Sequence, residues 1–170
     1  MNLFLNRIKA RVENAAVSDT CGTVQYHQVL SGFETMGGLR RPPTTDPVRV
    51  RQVRSTRLDD YCRAHACSRI DLLKIDAEGA ELSVLAGAGN VLASQRPVII
   101  CEVLDWVTQS WGYAAREIVT KLLGIDYQWF DIDRRGRLSE HAVKSAYPEI
   151  RNYLAVPVER LSEIRGLQAP

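Results

Sequence analysis

Hydrophobic positions along this chain fall into short alternating runs and two longer stretches with helical spacing, and the changes of period mark its elements. Residues 12–17 read as a strand, closed by the turn-like Asp19-Thr-Cys-Gly22. Residues 23–30 form a second, with Val24 and Tyr26 on one face and His27 on the other. The stretch 32–47 holds Pro42, Pro43 and Pro47 among glycines, which excludes regular structure and leaves a loop. At 48–53 valine alternates with polar residues, as expected of a half-buried strand. Thr56-Arg-Leu-Asp59 resembles a capping box and opens a short helix to about Ala66.

Residues 70–75 make a mostly apolar strand that stops at Asp76. Glu78 and Glu81 then open a helix over 78–87 whose Leu82, Leu85 and Ala86 share a face. After a shorter turn to Ser94, Pro97 introduces a buried strand at 98–103 that carries Glu102 near its end. An amphipathic helix spans 113–123 and stops at Gly124. Strands follow at 127–132 and 153–156, with a turn at 133–136 between them, and a short helix at 159–165 closes the series. There are no repeats and no low-complexity segment, so residues 1–170 are expected to form one α/β domain.

Asp76 draws the chemistry, because ligands of open α/β sheets sit at the carboxyl ends of strands. A plainer reading stands beside it: Asp76 as an N-cap, with Glu78 and Glu81 as first-turn acids favoured by the helix dipole. Lys74 is unusual inside an apolar strand and is expected to snorkel outward or to pair with an acid such as Asp76.

Composition narrows the classes. With 45% hydrophobic residues in 170, the chain is long enough for a real core. The net charge of +2, from 22 basic and 20 acidic residues, comes with no basic stripe interleaved with aromatics, which argues against nucleic acid. No apolar run reaches membrane-spanning length and no signal-peptide core precedes residue 12, so a cytoplasmic location is expected. The four cysteines read as reduced thiols. Cys62, His65 and Cys67 lack a fourth ligand at zinc spacing, and no metal site is expected there.

The strings Lys74-Ile-Asp-Ala-Glu-Gly-Ala-Glu81, Leu85-Ala-Gly87 and Arg96-Pro-Val-Ile-Ile-Cys-Glu102 resemble the FkbM-type S-adenosylmethionine (SAM)-dependent methyltransferases. Asn14-Ala-Ala-Val-Ser-Asp19, Thr56-Arg-Leu-Asp-Asp60 and Arg151-Asn-Tyr-Leu-Ala-Val-Pro157 continue the likeness in the family's order. The resemblance implies a class I methyltransferase (Rossmann-like) mixed sheet with flanking helices. It implies SAM as methyl donor and, as partner, a small-molecule hydroxyl acceptor on a sugar, glycan, glycolipid or secondary metabolite. It makes the Asp76 and Glu102 strands parallel neighbours, about 5 Å apart. Two carboxylates that close can share a proton or hold a divalent cation, so both are expected to face the acceptor hydroxyl, one as general base or both as ligands. Glu102 could equally serve to hydrogen-bond a helix N-terminus. Asp19 takes the place of the residue that binds the adenine amino group, though turn chemistry before Gly22 explains it equally well. Glu78 shapes the same cofactor pocket, and Trp106, Trp111 and Tyr113 become either a wall over the acceptor or ordinary packing under a loop.

The family's glycine-rich SAM turn and the acid-ended strand after it have no counterpart here. Gly37-Gly38 does not join a strand to a helix, and Gly87-Ala-Gly89 follows a helix, where glycine serves as a C-cap. The chain is therefore expected to be the C-terminal portion of the family domain, with the first two strands of its sheet missing. Those strands fall between the 12–17 and 70–75 strands, so the latter is left with an apolar edge that the 12–17 strand or a second chain would have to cover. Two functional readings follow: an incomplete O-methyltransferase chain, and a non-catalytic remnant that works through partner binding or self-association.

Overall fold

The computed structural model describes residues 6, 9–30 and 36–168; residues 1–5, 7, 8, 31–35, 169 and 170 lie outside it. The elements in chain order are β1 (Ala15–Val17), β2 (Gly22–Val29), β3 (Val48–Thr56), α1 (Leu58–Ala64), β4 (Leu72–Ile75), α2 (Glu81–Ala86), β5 (Val98–Glu102), α3 (Asp105–Thr108), α4 (Arg116–Leu123), β6 (Tyr127–Ile132), β7 (Leu138–Glu140) and β8 (Asn152–Pro157). A π turn at Val91–Gln95 and 3₁₀ stretches at Gln109–Trp111 and Val158–Leu167 complete them.

The strands form two sheets. The smaller has the order β1-β3-β2, with β1 parallel and β2 antiparallel to β3. The larger has the order β4-β5-β8-β6-β7, and only β4 and β5 within it are parallel. This is the mixed α/β architecture expected. Among the described residues no ladder joins the two sheets, and both β1 and β4 are edge strands. The 12–17 strand therefore does not cover β4; it pairs with β3 instead.

The local differences from the sequence pattern have physical causes. Residues 12–14 leave the ladder where Glu13 accepts hydrogen bonds from Arg54 (3.4 Å) and Tyr61 (3.3 Å), which shortens the first strand. β3 is more exposed than its alternation suggests, with Val50 50% accessible. The capping box at residue 56 does not form: Thr56 ends β3 and its hydroxyl donates to the Arg57 carbonyl. Asp59 turns away from its own helix and accepts the amides of Asn90 (2.9 Å) and Val91 (3.0 Å). The helix expected at 78–87 begins only at Glu81, because Glu78 (φ 49°) and Gly79 (φ 93°) take left-handed backbone. The helix expected from 113 begins at Arg116, preceded by amides that Asp105 and Glu117 accept. The turn at 133–136 closes a β6–β7 hairpin, and β7 and α3 were not marked by the pattern.

The main core lies on one face of the larger sheet, where Ile75, Ile99, Cys101, Trp129 and Tyr153 meet Leu85 of α2 and Ile118 and Leu122 of α4. Trp129 also donates its indole N–H to the Val119 carbonyl (3.1 Å). Phe130, Leu154, Val156 and Ile164 fill the opposite face. Val17 and Leu58, from the smaller sheet and its following helix, pack into the main core. The same seam brings Gly87 so close to Ser18 that a Cβ would overlap the Ser18 carbonyl oxygen. The Asp59 amide donates to the Gly87 carbonyl at 3.0 Å, so side chains, one glycine and one buried carboxylate hold the two sheets together. No helix among the described residues is long and apolar enough to cross a membrane.

Candidate active site

The sharp turn after β4 is built by Glu81. Its side chain is almost fully buried, and one oxygen accepts the amides of Ala77 (2.9 Å) and Gly79 (3.3 Å), folding the chain back on itself. Tyr113 donates to the Gly79 carbonyl at 2.6 Å and fixes the turn from the other side. The Trp111 ring lies on Gly79, where a Cβ would come within 2.5 Å of Trp111 Cδ1, so this position admits only glycine. Arg40 covers the outer face of Trp111 at 5.0 Å. Left-handed backbone at Glu78 costs of order 1 kcal/mol, and this surrounding framework holds it in place.

The turn delivers Asp76 beside Glu102. The last paired residues of β4 and β5 are Ile75 and Cys101, so Asp76 and Glu102 occupy the next matched positions at the carboxyl ends of adjacent parallel strands. Lys74 pairs with Asp76 at 2.8 Å, realising the ion-pair reading of that lysine. Glu102 is 9% exposed and pairs across the sheet with Asn152 through its backbone.

Burial pushes the Glu102 carboxyl up to about 7, helped by the negative charges of Asp76, Glu78 and Glu81. Glu78 is raised to about 6, first by burial and then by Asp76 and Glu81. Glu81 is also raised by burial, against the lowering effect of its backbone hydrogen bonds. The group as a whole thus carries less negative charge near neutrality than its count of acids suggests. Among the described residues, no group of three or more histidines, cysteines and acids is arranged to hold a metal ion.

A cleft of about 500 Å³ opens in front of the turn, lined by Ala16, Val17 and Tyr26 of the smaller sheet, Gly37–Leu39, and Asp76, Ala77, Glu78 and Ala80. Gly38 packs against Glu78, where an added Cβ would stand 3.2 Å from Glu78 Cβ. A smaller space of about 240 Å³, lined by Val17, Leu73, Ile75, Asp76 and Val84, continues along the free edge of β4.

The expected site residues divide. Asp76 and Glu78 line the cleft, and Glu102 stands beside Asp76 without lining it. Trp111 and Tyr113 reach the turn but are engaged in supporting it, with the Tyr113 hydroxyl committed to Gly79. Trp106 is 41% exposed and lines neither space. Asp19 lies elsewhere: it accepts the Ser18 hydroxyl (3.0 Å) and faces a separate hollow with Leu82, Ser83, Ala86 and Lys121. Sequence reasoning missed Glu81 as the organiser of the turn, though an acid beside the glycine at the strand's end was a signal. Tyr26 and the 37–39 segment gave none, because they reach the cleft through long-range folding.

These features fall within a known class, for the description Methyltransferase FkbM domain matches residues 2–162. The chain belongs to the FkbM methyltransferase family. It is 29% identical over 103 residues to the 2-O-methyltransferase NoeI of Sinorhizobium fredii (strain NBRC 101917 / NGR234), a match covering 52% of this chain. That match spans 41% of the relative's length. No solved structure matches the chain.

Proposed function

We propose that this chain carries the catalytic acids of a SAM-dependent O-methyltransferase acting on a hydroxyl of a sugar or secondary metabolite. The observation that carries this reading is the matched placement of Asp76 and Glu102 at adjacent parallel strand ends, with Glu102 poised near neutrality. The family membership and the relative named for 2-O-methyl transfer support it.

The cleft suits SAM by its chemistry: Glu78 offers a carboxylate to a cationic group, and Val17 and Leu39 offer apolar wall. Its volume of about 500 Å³ lies in the small-molecule range of roughly 300–1,000 Å³. SAM supplies an electrophilic methyl group when bound. The residues of the chain orient the acceptor and remove its proton. Glu102, with its acidity near neutrality, is the base that matches that task, and Asp76, neutralised by Lys74, orients the hydroxyl.

The test is calorimetric titration of SAM into the folded chain, followed by turnover of D76N. Saturable binding at micromolar levels and a loss of about 10²–10⁴-fold in turnover are expected. A folded chain that binds no SAM overturns the reading for these 170 residues, and unchanged turnover in D76N removes Asp76 from the mechanism.

One observation favours a second reading, in which the chain acts by association. β4 is unpaired on one side among the described residues, and its Leu72 is 55% exposed. A strand from a second copy or another segment fits such an edge. Light scattering that finds a monomer at all concentrations, unaffected by L72K, sinks this reading.

A further inference from the structure

α1 ends in a Schellman motif. Ala66 adopts left-handed backbone (φ 52°), its amide returns to the Arg63 carbonyl, and the Cys67 amide donates to the Cys62 carbonyl at 2.9 Å. In that motif the side chains at the two ends of the longer hydrogen bond touch, a place ordinarily filled by an apolar pair. Here both ends are cysteines. Cys67 is near enough to act on the Cys62 thiol, and both residues line one surface cleft of about 470 Å³. The backbone hydrogen bond of 2.9 Å also draws the two residues together, in keeping with a disulfide's need for Cα atoms roughly 4.4–6.8 Å apart.

We propose that Cys62 and Cys67 form a reversible dithiol–disulfide site, oxidised by a low-molecular-weight disulfide such as glutathione disulfide. Cys67 is partly exposed and Cys62 is buried, so Cys67 reacts first. Its thiolate attacks one sulfur of glutathione disulfide, forming a mixed disulfide and expelling one glutathione thiolate. Cys62 then gives up its proton and attacks the Cys67 sulfur, expelling the second glutathione. The protein loses two electrons and two protons, and glutathione disulfide becomes two molecules of glutathione.

The other two thiols are placed differently. Cys101 is wholly buried in the core, and Cys21 is exposed with its thiol donating to Asp60 (3.2 Å). The oxidised bond would sit where α1 meets the following turn, since the Cys67 carbonyl also accepts Gln95 Nε2 at 3.2 Å.

The experiment is titration of the folded chain with glutathione disulfide at graded ratios to glutathione, quenched by acid and read by thiol counting and tryptic mapping. The thiols of Cys62 and Cys67 are expected to be lost together while Cys101 stays free, any glutathione adduct on the exposed Cys21 being counted separately by its mass. Trypsin cuts after Arg63 and Arg69, so the bond should join the peptides 58–63 and 64–69, with a mass about 2 Da below their sum. C67S should keep Cys62 free, and C62S should stop at a stable mixed disulfide on Cys67. Retention of all four thiols in the folded chain overturns the proposal, as does loss of two thiols in C67S or a cross-link that joins either cysteine to another partner.

Discussion

Asp76 and Glu102 stand at matched strand ends, yet only Asp76 is directly ion-paired: Lys74 contacts it at 2.8 Å, while Lys74 acts on Glu102 only as a more distant charge and the Glu102 carboxylate has no hydrogen-bond partner among the described residues. The difference separates their chemistry. Glu102 ionises at about 7, so its basic form accumulates as pH rises through neutrality. Methyl transfer is expected to rise with pH to a plateau, with an inflection within about one unit of 7, and E102Q should remove the inflection along with most of the rate. A wild-type profile flat through that range excludes Glu102 as the base.

The same shift has a thermodynamic face of opposite sign. An acid raised from 4.5 to about 7 binds its proton more tightly in the folded chain than in the unfolded one. Its contribution to stability is therefore full below pH about 4.5 and is lost as pH climbs to about 7. Glu78, raised to about 6, acts the same way over a narrower window. Exposed pairs such as Glu159 with Arg96 act in the other direction and at lower pH, where Glu159 ionises at about 2. Thermal melts of wild type and E102Q across pH 4–8 isolate the effect: the mutant should gain relative to wild type as pH rises.

E81Q should loosen the turn that presents Asp76. It alters the carboxyl that accepts the amides of Ala77 and Gly79, and a loss of about 1–3 kcal/mol is expected by urea denaturation. Y113F removes the hydroxyl that donates to the Gly79 carbonyl at 2.6 Å and reaches the Glu81 carboxyl at 3.4 Å, and should cost about 0.5–1.5 kcal/mol. Equal stability of E81Q and wild type would mean that the turn is held by other contacts.

Two alanine substitutions should separate packing from backbone strain. G87A keeps an acceptable backbone but drives a Cβ into Ser18, and overpacking of this kind costs about 1–3 kcal/mol. G136A meets nothing within 4 Å, but its φ of 75° penalises a side chain by about 1–2 kcal/mol. An apolar probe dye should report increased binding in G87A alone, because only that substitution parts the two sheets.

The sequence was most readable where a period was long or a residue pair was local. The buried 98–102 strand, the helix ending at Gly124 and the acids after Ile75 were all visible, and Lys74–Asp76 is a two-residue relationship. Boundaries failed where a side chain served a distant partner. Asp59 looked like a first-turn cap but holds the amides of residues 90 and 91, thirty positions on. Tyr113 looked like the start of a helix but reaches back to Gly79. Asp19 faces a hollow apart from the cleft, with Leu82, Ser83 and Lys121, a neighbourhood that no local pattern announces. The cleft itself, shared by Tyr26, Gly38 and Glu78, has no local signature at all.

Asp59 has a wider consequence than its capping role. The candidate cleft lies between two sheets that share no rungs among the described residues, so its width is set by side-chain packing at the seam and not by a ladder. Deuterium should therefore enter the amides of β1 to β3 on a faster clock than those of β5 and β8, and D59N should quicken that clock on one side of the molecule only. A molecule joined in this way accommodates a guest by letting one leaf of the book turn against the other.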